Sequence, residues 1–342
     1  GFWSTGGKKG VVIEMKMKEA PVLGAEGSKK ESNVLKNAEW AKKAVPFLGL
    51  LVLVLLFSTT TDGRFLKVAN LQNIFSQAAI VMVAGTGCSF VMSHNNLDFS
   101  LGGACAMSAV AGIVIGAKFS YAWMLPVCLA VGMMCGLVTA GLHIKARIPA
   151  FMAGMCIMFA GRGLAQGAYL QFVMTLPQDY KVLQNIWFYF AVVTVIFLAA
   201  YILFEYTKIG KYNKLIGSNM QVAKLSGVPV NKYKAMAFAV SGFTVGAAAF
   251  MSIIRGGGVG AQTGTNLETN VLLALTLGGF PLTGGSQAKM RSVIVGALVL
   301  FMLNNGLQLW GVDPTIINVI KGIVFLVVVY ITIDRGSGGV MI

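Results

Sequence analysis

The chain has 342 residues, of which 56% are hydrophobic and only 11% charged. A soluble domain carries about 25% charged residues, so this sequence lacks the polar side chains to cover a water-facing surface, and soluble globular classes are excluded. The net charge of +15 would suggest nucleic acid in a soluble protein. No aromatic residues are interleaved among the basic ones for base stacking, so the charge is assigned to membrane-flanking loops beside anionic lipid, and no nucleic-acid partner is expected.

Residues 1–44 are polar, mixed in charge and rich in Lys and Gly, the composition of a mobile cytoplasmic tail. The apolar stretch that follows has no small-residue cleavage site after it, so it reads as a retained first helix and not a signal peptide. Stretches of bilayer-crossing length then recur. They predict an all-α polytopic bundle of about ten transmembrane helices, at roughly 45–61, 73–92, 98–117, 122–142, 150–168, 186–206, 235–255, 268–282, 292–309 and 315–333. The membrane domain therefore covers 45–335, with a long loop at 207–234 and a short C-terminal tail at 336–342.

Charge sets the orientation. With both termini in the cytoplasm, the cytoplasmic loops and C-terminal end hold eleven basic residues: Lys145, Arg147, six lysines from Lys208 to Lys234, Lys289, Arg291 and Arg335. The outer loops and their edges hold five: Arg64, Lys67, Lys118, Lys181 and Arg255. An error of one span would move the six-lysine loop to the wrong side. The segment Ser93-His94-Asn95-Asn96-Leu97 carries no basic residue. It is either a loop or a break within the membrane, where irregular backbone is tolerated only beside protein or a water-filled cavity.

Within the spans, Gly112/Gly116, Gly132/Gly136 and Gly242/Gly246 have the spacing that lets helices approach closely. The cysteines Cys88, Cys105, Cys128, Cys135 and Cys156 all lie in apolar stretches with no C-x-x-C pair, and the chain's two histidines, His94 and His143, complete no zinc-like set. The cysteines read as small packing residues, and no metal or cofactor is expected.

The 207–234 loop contains a second signal. Ser218 and Gln221 have capping-box spacing, and Gly227 followed by Pro229 supplies a stop. They predict a helix of about eight residues, too short to be stable alone. Val222 and Leu225 share one face, with Ala223 nearby. Such a helix must dock, either on its own membrane domain or, as a coupling helix, in a groove of an ATPase subunit.

This loop resembles the coupling loop of permeases in the ribose-type branch of bacterial ABC importers, typically Gly-Ser/Gly-Asn-x-x-Ala-Ala-x-x-Ser-Gly-Ile. The matching residues are Gly217, Ser218, Asn219, Ala223, Ser226 and Gly227. Further matches follow in the family's order: Phe65-Leu66, Asn70-Leu71, Asn73-Ile74, Ile148-Pro149-Ala150-Phe151, Arg162-Gly163-Leu164, Leu277-Gly278-Gly279 with Gly284-Gly285, Asn304-Asn305-Gly306-Leu307 and Lys321-Gly322. One departure stands out. Where the family often has Gly-Gly-Ile-Asp-Leu-Ser, this chain has Asn95-Asn96-Leu97-Asp98-Phe99-Ser100, keeping Asp98 and Ser100 but replacing the glycine pair.

The resemblance implies an importer permease in a bacterial cytoplasmic membrane. Its implied partners are a separate ABC ATPase, an extracytoplasmic solute-binding protein and a second permease copy or paralogue. It also implies a sugar-like small polar solute; a nucleoside or signalling furanone would suit the same machinery. Consistent with a separate ATPase, the chain has no G-x-x-x-x-G-K-[ST] loop. It is not expected to be an enzyme, and no catalytic residue is assigned.

Charged residues in the membrane are costly and so are functional candidates. Arg162, Asn304, Asn305 and Lys321 are expected to border the translocation pathway together with Asn95, Asn96, Asp98 and Ser100; the alternative is that they only hold helices together. The expected ATPase-coupling set is Gly217, Ser218, Asn219, Val222, Ala223, Leu225, Ser226 and Gly227. An ion-driven secondary transporter would need intramembrane carboxylates, for which Asp98 and Glu268 are the candidates. A membrane enzyme would need a cluster that His94 and His143 do not form.

Overall fold

A computed structural model of the protein describes residues 48–172 and 174–332. The predicted tails at 1–44 and 336–342 lie outside the described residues. Each of the predicted apolar stretches forms a helix. The first, α1, is Leu48–Thr60. It is followed by α2 (Val68–Met92), α3 (Leu101–Lys118), α4 (Met124–Ile144), α5 (Ala150–Tyr169) and α6 (Ile186–Tyr201). Then come α7 (Lys208–Ser218), α8 (Met220–Leu225), α9 (Val230–Gly256), α10 (Leu267–Leu277), α11 (Ser292–Leu309) and α12 (Pro314–Thr332). The protein is all-helical: among the described residues, β pairing is confined to an isolated bridge between Thr175 and Gly258.

Six helical segments (α2, α3, α4 with its preceding turn, α6 with the π turn that ends it, α9 and α11) are long and apolar enough to cross a membrane, and α1, α10 and α12 are shorter apolar helices. The 20 residues of α5 include Arg162 and Gln166, which lower its apolar character. α10 stops at Leu277, short of the expected 282, because Gly279 has φ +81° and Gly278 packs directly on the carbonyl of Ser292, where a Cβ would collide.

The centre of the bundle is α2 and α9, both mostly buried. α9 crosses α4 at two facing glycine pairs: a Cβ on Gly132, Gly136, Gly242 or Gly246 would collide with the backbone of the opposite helix. That close approach is the role expected from G-x-x-x-G spacing, and it gives a large backbone contact without polar cost. Cys128 packs beside Gly112 and donates to the Ser108 carbonyl at 3.2 Å. At the periphery, α6 turns Trp187, Phe190, Val195 and Leu198 outward, and α12 turns out Val319, Ile323 and Leu326. Apolar residues on an outer face suit a lipid surrounding.

The connecting loops fall into two contacting sets. His94 Nε2 lies 2.8 Å from Asn213 Oδ1 of α7. Lys234 Nζ donates to His143 Nε2 at 3.1 Å, and the backbone N–H of Ser286 donates to Ser218 Oγ at 3.1 Å. The loops at 93–97, 143–149, 207–234 and 283–291 thus meet each other. At the other end, Trp310 Nε1 donates to Thr60 Oγ1 at 3.1 Å, Arg255 donates to Asn73 and Ser76, and Val259 N donates to the Met174 carbonyl at 2.8 Å.

Candidate functional site

Two regions carry the predicted residues. The first is the arm of α7 and α8. Its helix begins one residue later than the capping-box reading expects. Asn219 is the cap, accepting from Gln221 N at 3.0 Å and Val222 N at 3.1 Å. Ser218 instead ends α7, donating to the Lys214 carbonyl at 3.0 Å. The reason is local: Asn219 is extended, with φ −159° and ψ 106°, the geometry of a cap and not of a continuing helix. The resulting α8 has 6 residues, not the expected eight or so. It ends at Ser226, followed by the left-handed Gly227 at φ +74°.

α8 is docked on one side only. Ala223 is fully buried with Ile216, Val228 and Val230. Met220, Val222 and Leu225 are exposed, Leu225 by 88%. The arm is braced at its base: Lys214 Nζ bonds Glu205 Oε2 at 2.6 Å and lies 4.6 Å from the Phe204 ring, within the π turn that ends α6. Gly210 packs against the Phe204 carbonyl.

The second region is the start of α3. The backbone is non-helical from Asn96 to Phe99. Asp98 is fully buried and accepts from Ser100 N at 2.9 Å, Ser100 Oγ at 2.6 Å and Ser241 Oγ at 3.1 Å. Ser241 lies about 16 Å along α9 from its first residue. The segment therefore climbs from the loop layer at Ser93 into the bundle interior, packed between α5 at Gly154 and α9 at Ser241. Asn95 sits at φ +61°. Glycine enters that left-handed region freely and asparagine tolerates it, which accounts for an asparagine replacing one of the family's glycines. Asn96 Nδ2 is buried without a partner.

Above Asp98, Arg162 Nη2 bonds Glu268 Oε1 at 2.7 Å. Gly102 lies beneath the pair, where a Cβ would collide with the Glu268 carboxylate. The remaining predicted polar residues do not join this group. Asn305 exchanges two hydrogen bonds with Asn70, at 2.8 and 2.9 Å. Asn304 on α11 and Lys321 on α12 are half-buried. Sequence reasoning did not find Ser241 or Asn213, matched Asn70 only as part of a family motif, and weighed Glu268 only as a carboxylate for ion coupling. Their partners are distant along the chain, and no local spacing announces them.

Residues 70–329 match the family described as branched-chain amino acid transport system, permease component. The chain belongs to this permease family. The permease is 28% identical to the ribose import permease protein RbsC of Escherichia coli strain K12 over 85% of its own length and 94% of that protein. It is 26% identical to the fructose import permease protein FrcC of Rhizobium meliloti, with 85% of each chain covered. It is 29% identical to the autoinducer 2 import system permease protein LsrC of Salmonella choleraesuis strain SC-B67, with 86% of each covered. No solved structure matches the permease. As a permease with several apolar helices, it is a multi-pass membrane protein.

Proposed function

We propose that this permease is the membrane-spanning subunit of an ATP-driven importer for a neutral, sugar-like solute, and that α8 is the seat of a separate ATPase. One observation carries the coupling assignment: α8 is capped and anchored through Ala223 but leaves Met220, Val222 and Leu225 exposed. Apolar residues on a short helix in a polar, lysine-rich loop have no lipid to face, so a protein partner is the natural cover. The solute class follows the ribose, fructose and autoinducer 2 permeases that the chain resembles.

In this reading about ten segments cross the bilayer, with both termini cytoplasmic. The two contacting sets of loops support it, because alternating crossings require loops of the same parity to share a face. The pathway follows the start of α3, past Asn95, Asn96, Asp98, Ser100 and Arg162, with Asn304, Asn305 and Lys321 on α11 and α12. ATP binding on the partner moves α8, and the arm carries that movement into the interior. A solute-binding protein outside, a second permease or paralogue, and a bacterial cytoplasmic membrane complete the assembly.

The test is affinity purification of the detergent-solubilised protein from its host, followed by uptake assays. Co-purification of an ATPase and a solute-binding protein, with sugar uptake that stops on ATP depletion, supports the proposal. A complex without ATPase, with uptake that follows an ion gradient, sinks it.

A further inference from the structure

The Arg162–Glu268 pair has unused hydrogen-bonding capacity. Arg162 Nε and Glu268 Oε2 are both buried without a partner, and Glu268 as a whole is only 5% exposed. Buried polar atoms are nearly always satisfied, so one spare donor and one spare acceptor on a single ion pair call for a ligand. A cavity of about 20 Å³ adjoins Arg162, bordered by Gln166 and by Thr263 and Thr265 of the α9–α10 connection. That volume holds about one water. Gly264, at φ +77°, rests on the Gly102 carbonyl beside the Glu268 carboxylate.

We propose that Arg162 and Glu268 form a specificity-determining pair that reads the hydroxyl groups of a neutral polyhydroxylated solute, once the glycine-rich connection withdraws from the cavity. The inference rests on the sugar-import reading above. The pair carries no net charge, so it favours neither an anion nor a cation. A hydroxyl donates and accepts at once, matching one spare N–H on Arg162 and one spare carboxylate oxygen on Glu268, the latter packed against Gly102 until the connection moves. The amide of Gln166 and the hydroxyls of Thr263 and Thr265 have the same dual character. No aromatic ring borders the cavity, so a nucleobase finds no stacking face there. As the connection lies, Glu268 is buried while Arg162 is partly exposed, and a sugar-sized solute reaches both spare atoms only by displacing the connection.

The test compares D-ribose with 2-deoxy-D-ribose, using the complete importer in proteoliposomes with its ATPase and saturating solute-binding protein, so that the binding protein's own preference drops out. The wild type is expected to move ribose at least about tenfold faster than the deoxy sugar, since a site built to bond a hydroxyl rejects the analogue lacking it. Glu268→Gln, and the exchanged pair Arg162→Glu with Glu268→Arg, are each expected to narrow that ratio to about twofold while basal ATP hydrolysis persists. Gln166→Ala, at an exposed position on the same cavity, narrows it in part and serves if either pair variant fails to assemble. An unchanged ratio in Glu268→Gln or Gln166→Ala, or full recovery of rate and ratio in the exchanged pair, overturns the proposal and reduces the pair to a brace. A wild-type importer that moves leucine and no sugar overturns the sugar-import reading and this inference together. Ribose uptake with the wild-type ratio retained in the variants overturns this inference alone.

Discussion

Ser218 accepts a hydrogen bond from the backbone N–H of Ser286 at 3.1 Å, while the preceding residue, Gly217, packs on the carbonyl of Ser93. The end of α7, where the arm turns into α8, is therefore in contact with both the α10–α11 loop and the segment that climbs to Asp98. Gly285 N also donates to the Ser93 carbonyl, at 3.0 Å. A displacement of α8 has a short route into the interior. Ser218→Ala leaves the Ser286 N–H without its partner, at a stability cost of about 1 kcal/mol. The expected outcome is an assembled importer that still hydrolyses ATP but moves less solute per ATP, measured by parallel hydrolysis and uptake assays in proteoliposomes. Gly217→Val puts a branched side chain into the Ser93 carbonyl and is expected to abolish the monodisperse peak in size-exclusion chromatography.

The two sides of α8 predict opposite phenotypes. Leu225 and Val222 are exposed and Ala223 is fully buried. Leu225→Asp or Val222→Asp is expected to leave thermal stability within about 0.5 kcal/mol of wild type, as for surface substitutions generally, yet to lose the co-purifying ATPase. Ala223→Asp buries an unpaired carboxylate among Ile216, Val228 and Val230 and is expected to destabilise the permease itself. If Leu225→Asp retains the ATPase at wild-type yield, the partner does not seat on this face.

The helices were legible in the sequence because length and hydropathy alone specify them: α11 occupies the predicted 292–309. Of the arm, α8 was legible through its caps and stops, although Asn219, not Ser218, proved to be the cap, whereas the helix α7 before it was not expected. The interior site was less legible. Asp98, Ser100 and Arg162 could be singled out as polar groups in apolar stretches, but their partners could not. Ser241 lies 143 residues from Asp98, and Glu268 lies 106 from Arg162. Such pairings depend on which faces of separate helices meet. Here that is set by glycines such as Gly102, Gly132 and Gly242; the spacing of the last two marks a contact face on each helix but not which helix meets it.

His94 gives the loop layer a pH signature. Burial first, then the electrostatic influence of Lys234 and His143, push its pKa from 6.5 down to about 4, although its bond to Asn213 opposes the shift. Between those values the unfolded chain binds a proton that the folded chain refuses, so stability rises with pH across the window and falls as the pH is lowered through it. The expected loss by pH 4 is on the order of 3 kcal/mol, with no contribution from this group above pH 6.5. Thermal unfolding in detergent at a series of pH values measures it. His94→Gln, which can still donate to Asn213, is expected to flatten the profile between pH 6.5 and 4. A profile identical to wild type would show that other groups carry the acid sensitivity.

Asn70 and Asn305 pose the clearest choice between a bracing and a transporting role. Each amide donates to the other and accepts from it, and Asn70 also donates to the Phe65 carbonyl at 2.9 Å. The pair joins α2 to α11 near the hydrophobic cluster of Phe57, Phe65, Ile74, Leu307 and Ile317. Asn70 has both N–H groups engaged and Asn305 one of its two, which leaves little for a passing solute, so a brace predicts coupled stability losses and unchanged solute preference. In a double-mutant cycle of Asn70→Ala and Asn305→Ala, the coupling energy is expected to be about 0.6 kcal/mol and at most about 1.7, the range for hydrogen bonds between membrane helices. Uptake should then track the amount of folded protein. A change in sugar selectivity in Asn305→Ala, at unchanged stability, would instead place this amide on the solute's path and mean that the Asn70 contact breaks during each transport cycle.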